Sequence, residues 1–320
     1  MPPDNLYAAA PSPGQSRGAG ASSHDPYLSN QVFGLTVSSA FEIGLPLTRL
    51  VGPADIFIDQ GSVPSLLPHG VWKAACVQMN ETEIVFSLPR LGRVMASQGN
   101  RIIVQAHAQS NTHALAPFLR TAGLGAILHQ RGAVTLHAAV VSIGGGAVAL
   151  AGASGAGKSV LAAALQAQGV ALVSDEICCC DPTSLQVSSG VPEIWVWPDA
   201  AKCAAIDQVD APRVRDDLRL KRLVAGAFAA GTWPLTRLYY LEPGDPHENG
   251  SVESLPPAEA VALFLDNLYQ PQLYPLQMRR AVAECAMRCA KELPCRILRI
   301  PRSLSRLGEV VDCLARDAAL

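Results

Sequence analysis

Short runs of alternating or continuous apolar residues, each broken by Gly, Pro or Asn, fill the first third of the chain: VFGLTVSSA, ADIFIDQG, TEIVFSL and RIIVQAHA. Period-two patterning over such lengths reads as β-strands and predicts a small β-rich N-terminal domain over residues 31–113. Residues 1–30 are rich in Pro, Gly, Ala and Ser and carry no sustained apolar period. Such a composition buries too little to offset the entropy of ordering, which predicts a disordered tail. The apolar stretch over residues 114–130, ALAPFLRTAGLGAILHQ, predicts a helix connecting this part to the rest.

The pattern then changes. Two β-type runs, Thr135 to Ile143 and Ala147 to Ala151, are joined by Gly144, Gly145 and Gly146. Glycine accepts the positive φ of a tight turn, so the pair predicts an antiparallel hairpin. The second run feeds a small-residue loop, then the helix-favouring VLAAALQAQ, with Gly169 placed to end it. VALVS forms a further buried strand whose end delivers Asp175 and Glu176. Strands at Glu193 to Trp197 and Arg237 to Leu241, and helices at Pro257 to Tyr269, Leu276 to Leu293 and Ser303 to Ala318, complete an α/β part over residues 114–320. The antiparallel hairpin makes its sheet mixed, where an ordinary loop of this type is fed from a parallel sheet.

Composition narrows the function. The chain has 320 residues, 25 Lys+Arg against 27 Asp+Glu, and a formal net charge of -2. That balance offers no general attraction for nucleic acid or for an anionic membrane, and no run is long and apolar enough to span one. Nine cysteines, an odd number partly clustered at Cys178, Cys179 and Cys180, read as buried thiols in a reducing cytoplasm. The spacing of Cys285, Cys289 and Cys295 lacks the paired C-x-x-C of a structural zinc site.

The loop carries the chemistry. Gly152, Ala153, Ser154, Gly155, Ala156, Gly157, Lys158 and Ser159 fit G-x-x-x-x-G-K-[ST], between a predicted strand and a predicted helix. Backbone N–H groups freed by the glycines turn around an anion, and the helix adds its positive end. Lys158 reaches the outer phosphates of ATP and the Ser159 hydroxyl is a ligand for Mg²⁺. These residues and Val160 are the candidate nucleotide contacts. Asp175 and Glu176, one helix and one strand further on, are candidates for holding the metal and accepting a proton. His137 precedes the loop on the hairpin.

Other charged and aromatic groups carry weaker signals. The cations Arg213, Arg215, Arg219, Lys221 and Arg222, and a second basic stretch from Arg279 to Arg306, read as solvated faces. Trp195 and Trp197 alternate with Val196 as core side chains.

LHAAVV, GGG, LAGASGAGKS, LAAALQAQG and ALVSDE together resemble the kinase domain of HPr kinase/phosphorylase. FGLTVSSAFEIGLPL, LHQRGAVTLHAAVV, WVWPDA, KRLV, PLTRLYYLEP and LPPAEAVALFLDNLY resemble the HPr-kinase-like proteins of ribosomal peptide tailoring, lasso-peptide precursor kinases included. The resemblance implies a P-loop core shared with phosphoenolpyruvate carboxykinases. It also implies ATP- and Mg²⁺-dependent phosphorylation of a serine on a peptide or small protein, and a homo-oligomer. His137 then matches the family histidine, Lys158 the loop lysine and Ser159 the magnesium hydroxyl. Glu176 stands where the family usually has the aspartate that takes the hydroxyl proton, which leaves Asp175 and Glu176 both open as the base. The family's later segment with a second magnesium-binding glutamate has no counterpart here; Glu193 is the candidate by position. A small-molecule kinase on the same cradle, and a nucleotide-binding regulator in which Glu176 marks lost catalysis, are the alternatives.

Overall fold

The computed structural model describes residues 28–45, 47–49, 53–89, 91–107, 115–196, 220–223, 227–245, 249–301 and 303–318. Most of the predicted tail, Trp197 and the basic run from Arg213 to Arg219 lie outside them. Leu28, Ser29 and Asn30, grouped with the tail by composition, instead open the first strand, where backbone pairing such as Asn30 opposite Val37 draws them in.

The first sheet contains β1 (Leu28–Val32), β2 (Leu35–Ser39), β3 (Leu47–Arg49), β4 (Ile56–Gln60), β5 (Val71–Ala74), β6 (Val77–Met79), β7 (Glu83–Leu88), β8 (Gly92–Ser97) and β9 (Arg101–Ala106). Their order is β3-β1-β2-β4-β9-β8-β7-β6-β5. The pairs β2–β4 and β4–β9 are parallel, and the hairpin-linked pairs are antiparallel. Alternate positions supply one buried face with Val37, Ile56, Ile58, Ile84, Val94, Ile102 and Val104. A helical segment covers that face: α1 (Leu115–Phe118), a π-helical turn (Leu119–Gly123) and α2 (Leu124–Gln130). Leu115, Leu119, Leu124 and Ile127 enter the same core. The segment that the sequence groups with the α/β part therefore packs on the first sheet.

The second part contains β10 (Val134–Leu136), β11 (Ala138–Ile143), β12 (Gly146–Ala151), α3 (Lys158–Ala167), β13 (Ala171–Ser174), β14 (Cys178–Cys180), β15 (Gln186–Ser188), β16 (Glu193–Val196), β17 (Leu220–Leu223), β18 (Thr232–Gly244), β19 (Ser251–Ser254), α4 (Pro257–Asp266), α5 (Arg279–Glu292), β20 (Cys295–Pro301) and α6 (Leu307–Ala318). The fold is mixed α/β with two mixed sheets. β11 and β12 form the antiparallel hairpin, turning at Gly144 (φ 61°) and Gly145 (φ 82°), while β12 pairs in parallel with β18 and β18 with β20. Neighbouring residues on these strands feed opposite layers. Ala138, Val140, Ala149 and Tyr240 face Phe264 of α4 and Val282 of α5. Ala139, Val141, Leu150 and Tyr239 face Leu161 of α3 and Val310 of α6. A strand buried on both faces reads as an unbroken apolar run, which accounts for the small-residue sequence of β12.

β20 lies between the two predicted C-terminal helices, where the pattern predicts no strand. Its buried positions are Cys295, Leu298 and Pro301, with arginines between, so no period of two marks it as a strand. Parallel pairing with β18 makes it one. The first hairpin strand is also broken: β10 ends at Leu136, and the His137 backbone N–H leaves the ladder to donate to Asn267 O at 2.8 Å.

Candidate active site

Two strand ends and a helix start meet at the site. β12 ends at Ala151, the loop turns through Gly155 (φ 83°) and Gly157 (φ 99°), and α3 begins at Lys158. A Cβ at Gly152 would meet Leu241 O of β18 at 2.9 Å, so glycine is what lets the loop leave the sheet there. Lys158 is only 7% exposed, and its Nζ donates to Gly152 O (2.8 Å) and Ala153 O (3.1 Å). Desolvation pulls the ammonium below its usual range, offset by the nearby Glu176 and Asp175.

β13 delivers the acids. Ser174, Asp175, Glu176 and Ile177 form a tight turn in which Ile177 N–H donates to Asp175 O at 2.9 Å and Glu176 takes φ 69°. A γ-turn with positive φ at a non-glycine residue is strained, and such strain persists where the surroundings over-determine it. Ser174 Oγ clamps the turn through Ile177 O (2.7 Å), and Gly190 N–H donates to Val173 O just behind (2.9 Å). A Cβ on Gly190 would meet Ser174 Oγ at 2.1 Å and Phe33 Cε1 at 2.9 Å. Gly190→Ala is therefore expected to cost about 1–3 kcal/mol, the range for overpacking, read by chemical denaturation; a cost near zero would mean the turn yields freely.

The turn sends the two carboxylates different ways. Asp175 Oδ1 accepts from Ser159 Oγ at 3.0 Å, and its Oδ2 accepts from the Trp195 backbone N–H of β16 at 3.1 Å. Glu176 Oε2 lies 3.3 Å from His137 Nε2, with both side chains about a quarter exposed. The His137 ring meets Tyr269 edge-on at 6.3 Å between centroids. Burial and the neighbouring Glu176 carboxylate push Asp175 up to about 7, against the lowering pull of three donors, the Trp195 N–H, the Ser159 hydroxyl and the Glu176 N–H.

A folded-state value above the ordinary 3.8 means that the proton on Asp175 favours folding. That contribution is full below about pH 4 and is lost as pH rises through about 7. An asparagine can keep Trp195 N–H on its oxygen and donate to Ser159 Oγ. Asp175→Asn is expected to melt higher than the wild type in EDTA at pH 8, with the gap closing toward pH 5. A gap that widens on acidification would contradict the raised value.

Glu193, the candidate second metal ligand, is committed elsewhere. Its carboxylate pairs with Arg120 of the π-helical turn at 3.2 Å, both side chains 2% exposed, and accepts from Trp195 Nε1 at 3.4 Å. Of the paired tryptophans, only Trp195 lies in the described residues, half-buried on β16. Cys285, Cys289 and Cys295 sit in the core beside Cys178 and Cys180. The C-terminal cations form surface pairs, among them Arg280–Glu284, Arg288–Glu292 and Arg299–Glu253. Phe33 and Arg120, both lining the crevice beside the acids, are site residues that no local sequence signal marks.

The donor set fits Mg²⁺. Ser159 Oγ and Asp175 Oδ1 are adjacent hard oxygens, and this ion is held by one or two protein oxygens with phosphate and water completing its shell. The glycine turns and the α3 N-terminus fit a polyphosphate.

No family model matches the chain, and no curated protein matches it. Among solved structures, the Hpr(Ser) kinase/phosphatase from Coxiella burnetii matches at 14% identity and a TM-score of 0.31, over 57% of this chain and 89% of that one. At that level of likeness the site's own geometry has to carry the function. Among the described residues no helix is long and apolar enough to cross a membrane.

Proposed function

We propose that the chain is an ATP- and Mg²⁺-dependent kinase that phosphorylates a serine hydroxyl on a peptide or small protein. The observation that carries this reading is the meeting, at one helix mouth, of the Lys158 ammonium, the Ser159–Asp175 oxygen pair and a second carboxylate, Glu176, held apart from that pair. Magnesium-bound ATP supplies the phosphoryl group and the metal's charge.

This chain's residues divide the remaining work. Lys158 exchanges its loop carbonyls for phosphate oxygens, and the loop N–H groups with the α3 N-terminus bear the charge that develops there. Ser159 and Asp175 would hold the metal. Glu176 is the base: it sits beside the mouth, paired with His137, and its Oε2 takes the proton as the serine oxygen bonds to the γ-phosphorus and the bond to the β-phosphate oxygen breaks. His137 positions Glu176 through Nε2, 3.3 Å from Oε2.

Peptide tailoring as the setting rests on sequence resemblance alone. The test is incubation with γ-labelled ATP, Mg²⁺ and serine-containing peptides, followed by mass spectrometry. Phosphoserine in the peptide is the expected result. Nucleotide binding without turnover would leave the regulator reading in its place, and label confined to small alcohols the small-molecule reading.

A further inference from the structure

His137 sits between two ladders. β10 pairs with β14 as far as Leu136 opposite Cys178, and β11 pairs with β12 from Ala138 opposite Ala151, so neither pairing includes it. The segment that follows α4 takes it over. Leu136 stands opposite Leu268 in an antiparallel bridge, flanked by His137 N–H donating to Asn267 O at 2.8 Å and Tyr269 N–H donating to Thr135 O at 2.9 Å. In that register His137 lies opposite Asn267, which makes Tyr269 its diagonal neighbour on the same face, within reach of an aromatic side chain. Leu136 and Leu268 take the other face into the core beneath α4 and α5. The Tyr269 ring is itself wedged. A Cβ on Gly125 of α2 would lie 2.7 Å from Tyr269 Cε1 and 3.7 Å from Ile177 Cδ1, so the ring rests on bare helix backbone beside the residue that follows Glu176. Burial and the Glu176 carboxylate hold the phenol well above the ordinary tyrosine range, opposed by the Thr121 side chain of the π-helical turn, so it stays neutral.

Resting on the kinase reading above, we infer that Tyr269 is a positioning residue for phosphoryl transfer: wedged against Gly125, its ring fixes the His137 imidazole with Nε2 toward Glu176, and so sets where that carboxylate meets the serine hydroxyl. The bond to Asn267 O sets the backbone of His137 but leaves the ring free to turn about its side-chain bonds. The edge-on contact with Tyr269, at 6.3 Å between centroids, lies in the attractive range for ring pairs and removes that freedom. Nε2 is then held 3.3 Å from Glu176 Oε2. Through Gly125 and Tyr269, the helix that covers the first sheet reaches the base.

The experiment measures transfer from γ-labelled ATP, with Mg²⁺, to a serine peptide that the wild-type full chain labels. Tyr269→Leu is expected to lower kcat about tenfold, short of the ~100-fold that a 1 Å misplacement costs, with KM for ATP unchanged. Tyr269→Phe keeps the ring and should keep most of the rate. The loss should run through His137: added to His137→Ala, Tyr269→Leu should slow transfer no further, whereas a general loosening of the fold would slow both backgrounds alike. Gly125→Ala, whose new methyl meets the Tyr269 ring first, should slow transfer in the wild type and have little further effect in Tyr269→Leu, where the smaller side chain leaves room. Thermal melts are read alongside, and Gly125→Ala carries the test should Tyr269→Leu melt below the assay temperature. Wild-type kcat in folded Tyr269→Leu or Gly125→Ala, equal losses with and without His137, or a Phe variant as slow as the Leu variant each overturns the assignment and leaves the kinase reading standing. A wild-type chain that labels no serine peptide overturns the kinase reading and this inference with it.

Discussion

Lys158→Ala is expected to lower phosphoryl transfer by about two to three orders of magnitude, the effect of removing one preorganised charge-stabilising donor, ~3–4 kcal/mol. The loss should fall on kcat more than on the KM for ATP, because the charge that Lys158 meets grows on the way to the transition state. Folding should lose about 1–3 kcal/mol, because the buried Gly152 carbonyl is left without its donor while the exposed Ala153 carbonyl turns to water and alanine suits the start of α3. Lys158→Arg is not expected to rescue, since a planar guanidinium cannot take the place of a compact ammonium folded under the loop. Single-turnover transfer with labelled ATP, beside a thermal melt, separates chemistry from stability. Wild-type transfer in a well-folded Lys158→Ala protein would remove the loop from the reaction.

Legibility in the sequence follows the range of the interactions. The hairpin, loop, helix and acid-tipped strand from Thr135 to Glu176 are local: glycine turns, a helix-favouring run and a strand end can be read within a window of residues. The division of labour between Asp175 and Glu176 is not, because it goes with the positive φ at Glu176, in a turn that Gly190, from the segment after β15, packs against at Ser174. β20 escapes for a related reason. Its Arg296 and Arg299 break the apolar period, and they are tolerated because Asp317, Glu242 and Glu253 arrive from α6, β18 and β19. Phe33 and Arg120 reach the crevice only once the first sheet and the π-helical turn have packed. Glu193 looks by position like a metal ligand until Arg120, remote in the chain, claims it.

That claim sets the second large effect. Arg120 Nη1 donates to Ile43 O at 2.5 Å and Nη2 pairs with Glu193, all out of water; burial pulls the guanidinium below its usual range and Glu193 offsets it. Taking one partner from a buried pair leaves an uncompensated charge, so Arg120→Met is expected to cost about 3–5 kcal/mol in denaturant unfolding. Glu193→Leu should cost a similar amount by stranding the cation. The double variant Arg120→Met/Glu193→Leu carries no buried charge and should cost well under the sum, retaining chiefly the penalty of an unpaired Ile43 carbonyl, ~1–3 kcal/mol. Additive costs would mean that water already screens the pair. The same pair connects the first sheet to Asp175, because Ile43 O, Arg120, Glu193, Trp195 and Asp175 are joined in sequence by hydrogen bonds and, between Arg120 and Glu193, by the ion pair. The double variant should therefore bind ATP normally yet transfer phosphate several-fold more slowly, as Trp195 and with it Asp175 lose their anchor. Full transfer in a stable double variant would show that β16 holds Trp195 in place by itself.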